Sequence, residues 1–170
     1  PNGQNLPMII EDSVVFLSNS NEQRVVLAAW GQDAYFHYSD TISGTLPNDK
    51  PHVIYNYAMV PEGESLTIQA GTNIHFHNNG ILYINKGQLF VEGTMNDKVV
   101  FQGDRLEESY ANTKGQYYGI YLEEALPSVI EYAIIKNGTA GIHITGENEN
   151  NNDYTLKIYN SELYNHNSYG

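Results

Sequence analysis

Five apolar triplets between Ser65 and Phe101 limit what this chain can fold into. Leu66-Thr67-Ile68, Ile74-His75-Phe76, Leu82-Tyr83-Ile84, Leu89-Phe90-Val91 and Val99-Val100-Phe101 each set two apolar residues two apart. That is the period of a strand burying alternate side chains. The gaps between triplets hold Gly, Asn and Asp, which favour turns. The strands are too short to make a core alone. They must stack on copies of themselves.

The chain carries such copies. LTIQAGT (66–72) aligns with LFVEGT (89–94). Ile74 and Phe76 align with Val99 and Phe101. Leu82 and Ile84 align with Ile120 and Leu122 once an insertion at about Asp104 to Gln116 is set aside. Further on, Ile130 aligns with Ile158, Ile135 with Leu163 and Asn137 with Asn165, each pair 28 residues apart. A repeat of this length signals a solenoid, propeller or array. Three triplets per unit, with no capped helical pattern, predict an all-β fold, a right-handed parallel β-helix of three short strands per coil. An asparagine recurring at one turn, as at Asn137 and Asn165, predicts a ladder of side-chain amides between coils.

Residues 1–50 lack this repeat. MIIEDSVVFL (8–17) reads as strand, polar turn, strand, RVVLAAW (24–30) as a strand and AYFHY (34–38) as a short one. This part is expected to be an N-terminal β cap, with the β-helix over 51–170. The chain stops partway through a coil, so further coils or a partner are expected at that edge.

Composition narrows function. Eight basic and twenty acidic residues give a formal charge of -12, which repels nucleic acid, anionic lipid and acidic polysaccharide. Without cysteine there is no disulfide and no thiolate nucleophile or metal ligand. No apolar run is long enough for a transmembrane helix.

The run DKPHVIYNYAMVPEGESLTIQAGTNIHFHNNGILYINKGQLFVEGTMNDKVVFQGDR, with GQYYGIYLE and IEYAIIKNGTAGI after it, resembles the right-handed β-helix surface lipoproteins of Bacteroidota. It is also similar to the wider pectate-lyase-like superfamily. The resemblance covers about 50–170. It implies an extracytoplasmic location at the bacterial outer membrane or cell surface. It also implies a lipidated cysteine near the mature start, which would have to precede this sequence or be absent. Most such proteins have no assigned activity.

Several groups of residues are candidates for chemistry. Arg105 with Asp104, Glu107 and Glu108, at the start of the insertion, has the residue types of a polysaccharide-lyase site; an ion-paired surface loop is the plainer reading. Glu123-Glu124 and Glu107-Glu108 supply carboxylates for a glycosidase, but neighbours in a strand face opposite ways. His75 and His77, two apart, both expected to point outward, could chelate a metal but lack a third ligand, so no metal site is assigned. Glu147 to Asp153 (ENENNND) is oxygen-rich enough for calcium, without the order of an EF-hand; otherwise no cofactor is expected. Tyr83, Tyr117, Tyr118 and Tyr121 are the expected binding residues, an outward aromatic stripe able to stack a glycan or meet a protein partner. The first reading is therefore a non-enzymatic cell-surface binding or scaffold module, in an outer-membrane assembly. The second is a carbohydrate-active enzyme centred on 103–124.

Overall fold

Alternate apolar residues and β-branched side chains make strand the governing structure of this chain, and the computed structural model is all-β with parallel sheets. It describes residues 8–19, 21–31, 33–146 and 154–168. The chain forms two compact units, Pro1–Ala34 and Tyr35–Gly170.

The first unit contains an antiparallel hairpin. Strand β1 (Met8–Ser18) pairs with β2 (Asn21–Gly31) along its whole length. Asn19 takes φ 50 where the chain reverses, a conformation Asn tolerates better than most residues. Glu11-Asp12-Ser13 does not break β1 as the sequence suggested, because each of these residues is paired across to β2. Val14 and Phe16 on one face, and Val15 and Leu17 on the other, are exposed.

The second unit begins earlier than the sequence predicted. Strands β3 (Tyr35–Thr41) and β4 (Gly44–Leu46) run parallel to β5 (His52–Val60) and β6 (Ser65–Gln69) respectively. Residues 35–46, expected in the N-terminal cap, thus share their sheets with the repeat strands. The boundary expected after residue 50 lies after Ala34.

Among the described residues ten further strands follow: β7 (Asn73–Phe76), β8 (Ile81–Asn85), β9 (Gln88–Glu92), β10 (Val99–Gly103), β11 (Gly119–Glu123), β12 (Ser128–Glu131), β13 (Ala133–Lys136), β14 (Ile142–Thr145), β15 (Leu156–Tyr159) and β16 (Glu162–Tyr164). Each pairs in parallel with the strand three places on: β6-β9-β12-β15, β7-β10-β13-β16 and β8-β11-β14. Like residues therefore lie beside like. Leu66 and Ile68 neighbour Leu89 and Val91, and Leu82 and Ile84 neighbour Ile120 and Leu122. These side chains are buried in one continuous apolar cluster. Each such burial contributes about 1.5–3 kcal/mol.

Strand β5 explains how the larger sheet curls. Its 52–54 segment pairs with β7 and its 57–60 segment with β8. Between them Asn56 has φ 63, beside Ser39 at φ 50 on β3, and the Asn56 amide donates to the Ser39 hydroxyl at 3.1 Å. The next repeat turns the same bend, at Asn79 (φ 61), into a break between β7 and β8.

One alignment slips by two residues. Ile74 pairs with Phe101, and Phe76 with Gly103, whereas the sequence suggested Val99 and Phe101. The cause is Thr72. It is fully buried, with its hydroxyl donating to the Gln69 carbonyl at 2.7 Å, so a polar residue fills an inward position beside Val99.

Candidate functional site

Outward positions are the middle residues of the triplets. On β8, β11 and β14 they are Tyr83, Tyr121 and His143, side by side in register. Neighbouring parallel strands lie roughly 4.8 Å apart, so planar side chains at one register position stack. Tyr83 and Tyr121 stack at 5.3 Å and 14°, and Tyr121 meets His143 at 5.0 Å. Tyr118 stands edge-on to Tyr121.

Hydrogen bonds fix these rings. Tyr83 donates its hydroxyl to Glu123, which pushes the tyrosine up to about 12, helped by burial. The Tyr121 hydroxyl lies 2.8 Å from Thr145 Oγ1, and Tyr118 Oη lies 2.8 Å from His143 Nδ1. Three of the four expected binding tyrosines thus form one half-buried, cross-braced stripe.

Tyr117 does not belong to it. Its ring is buried flat against Phe76, at 4.4 Å and 4°. Its hydroxyl donates to the Lys136 carbonyl at 3.0 Å, and burial raises its pKa. Gly103 neighbours Phe76, and Gln116 lies against it, its Oε1 2.2 Å from where a Cβ would stand. Tyr117 packs on Phe76 from the far side of the insertion.

A second stripe lies where the sequence suggested only a cap, on residues 35–46 and the repeats beside them. Tyr38, Tyr55 and His77 each stand just before the bend of successive repeats. Tyr38 stacks on Tyr55 at 4.7 Å, and Tyr55 on His77 at 4.5 Å. Phe36 packs against both tyrosines. Tyr38 is 62% exposed and Phe36 50%. His143 is a further stripe residue absent from the sequence-based expectation, although Ile142-His143-Ile144 has the triplet form that carries Tyr83 and Tyr121.

The lyase-type residues do not converge. The Arg105 guanidinium holds Glu107 through two nitrogens, at 2.9 and 3.0 Å, and lies 4.1 Å over the Tyr110 ring. That ion pair raises Arg105 and lowers Glu107. Asp104 faces away, to His77 Nδ1 at 2.7 Å. Glu108 opens a short 3-10 turn. The adjacent acids also part, with Glu123 on Tyr83 and Glu124 on Lys86 at 3.2 Å.

Nor do His75 and His77 form a pair of ligands. His77 is exposed, but His75 is buried, with Val53 and Gln102 beside it in register. Burial holds its pKa down. Among the described residues no three His, Asp or Glu side chains gather as a metal site. The calcium candidate, 147–153, lies outside the described residues.

No protein-family model, curated protein or solved structure matches the chain.

Proposed function

We propose that this chain is a non-enzymatic binding module that meets a protein partner through its outward aromatic stripes. The observation carrying this reading is that the stripes are ladders. Ring faces are used against one another, leaving edges, hydroxyls and carboxylates toward solvent. A sugar stacks on open ring faces, which such a ladder offers chiefly at its ends. A protein surface gains from rigid, amphipathic rings ordered in advance. Glu123 and Asp104 on the stripes, and the charge of -12, favour a partner rich in Lys and Arg.

In this proposal the second unit is a right-handed parallel β-helix. Pairing between strands three apart supports it, as does the strong preference of parallel crossovers for the right hand. Resemblance to the Bacteroidota surface lipoproteins supports a place at the outer membrane or cell surface.

The test exposes the purified protein to neutral and acidic glycans and to cell-surface proteins, beside Tyr38→Ser and Tyr121→Ser. The expected result is a protein partner retained by the parent and lost by a variant of unchanged thermal stability. Glycan binding lost in those variants would replace the partner with a sugar. Sugar products released by the parent and abolished in Arg105→Ala would overturn the module in favour of an enzyme.

A further inference from the structure

Two histidines continue the apolar columns of the core. In one column Ile135, Phe101 and Ile74 lie in successive repeats, and the next place is His52, nearly fully buried. In the adjoining column Phe76 and Ile54 are followed by His37 on β3. A leucine or isoleucine would fill either place without the cost of burying an imidazole.

The contacts order the protons. His52 Nε2 lies 3.0 Å from the Pro47 carbonyl, which can only accept, so that nitrogen carries hydrogen. Neutral His52 then has a bare Nδ1. It accepts from His37 Nε2 at 3.1 Å. Neutral His37 in turn has a bare Nδ1, which faces Asp40 Oδ2 at 3.6 Å. The imidazoles stack at 5.4 Å and 13°, with Tyr35 stacked on His52 at 5.0 Å.

We propose that His37 and His52 form an acid-released latch that holds β3, and with it Phe36 and Tyr38 of the outer stripe, onto β5. One added proton suits the closed latch. It goes to His37 Nδ1, where it meets Asp40, and the chain of hydrogen bonds is kept. A second proton has no acceptor. It would go to His52 Nδ1 and set two N–H donors against each other 3.1 Å apart, between two stacked cations. Opening takes up that proton and parts Tyr38 from Tyr55.

Of the other charged and titratable groups nearby, Asp49 favours a charged His52, but burial outweighs it. Tyr35 donates its hydroxyl to Asp49 at 3.2 Å, and Lys50 lies over the Tyr35 ring at 5.4 Å. From β7 the residue beside His52 is Ile74. Burial lowers the pKa of both histidines, in His37 against the pull of Asp40 and in His52 against the Pro47 bond and Asp49. The latch stands on these contacts whatever the stripe binds.

Amide hydrogen exchange at pH 7.5 and 5.0, corrected for intrinsic rates, tests it. Protection in Tyr35–Thr41 should fall about tenfold or more, the effect of one unit of pKa difference. Gly119–Glu123, which opens only with the whole fold, should lose clearly less protection. His52→Leu should keep β3 protected at pH 5.0. Asp40→Asn should open at higher pH and more steeply, since the closed latch then accepts neither proton. Ring nitrogen spectra at pH 7.5 should show hydrogen on Nε2 of both histidines. Equal loss of protection in both strands, unchanged β3 protection in the parent, or hydrogen on His52 Nδ1 would overturn the proposal. So would a His52→Leu chain that opens as the parent does.

Discussion

Close backbone approach at Gly93 shows how little room single residues have between stacked strands. Its amide donates to the Glu131 carbonyl at 3.0 Å. A Cβ there would lie 2.2 Å from the Tyr132 carbonyl oxygen and 2.7 Å from that of Glu131. Neither neighbour is a side chain that could swing away. Gly93→Ala should therefore cost about 2–3 kcal/mol or more, as overpacking does, read as a lower urea midpoint at unchanged slope. Gly63 is the control. It has φ +76 with nothing within 4 Å of a built Cβ, so Gly63→Ala should cost only about 1–2 kcal/mol of left-handed strain.

At the scale of strands and turns, most of the pattern is legible in the sequence. The triplets mark β6 to β10, and the spacing of 28 sets the registers of Ile130 with Ile158 and Ile135 with Leu163. The parts that are not legible have physical causes. Buried Thr72 hides an inward position. Tyr117 reaches Phe76 from beyond an insertion, and no local pattern announces that. β3 and β5 are long strands that bend, so their residues do not look like separate triplets, and the Tyr38–Tyr55–His77 stripe is hidden with them. Tyr83 and Tyr121 are legible because each is the middle of a triplet. The asparagine turn is legible too, since Asn165 donates to Asn137 Oδ1 at 2.6 Å, and Asn137 donates to the Ala111 carbonyl at 3.1 Å. Asn137 also has φ 69. Asn137→Gly loses the hydrogen bonds but keeps the backbone at ease, for about 1–2 kcal/mol. Asn137→Ala loses both and should cost about 1 kcal/mol more. Equal midpoints for the two variants in urea would assign the whole effect to the amide ladder.

Acid sensitivity belongs to the whole molecule, because buried and half-buried histidines are spread over it. Burial is the largest cause lowering His37, His52, His75 and His166. In the unfolded chain each binds a proton near pH ~6.5. The folded chain resists until lower pH, so below about 7 the unfolded state holds more protons, and stability rises with pH. The histidine contribution is complete above about pH 7 and is lost progressively as pH falls through ~6.5 toward the depressed folded values. Unpaired carboxylates stay ionised down to about pH 5, so histidines govern this window, and relief of the net negative charge by carboxylate protonation comes only below it. Thermal melts should therefore fall steadily from about pH 7.5 to 5.5. His75 is the most informative single site, buried and with Nδ1 lacking a hydrogen-bond partner. His75→Leu removes that titration without touching the His37–His52 pair. Its melting temperature should fall less over the same range, while acid opening of β3 persists. A pH slope identical to the parent's would mean that His75 is protonated in the fold as readily as in the unfolded chain, and that burial there costs its charge little.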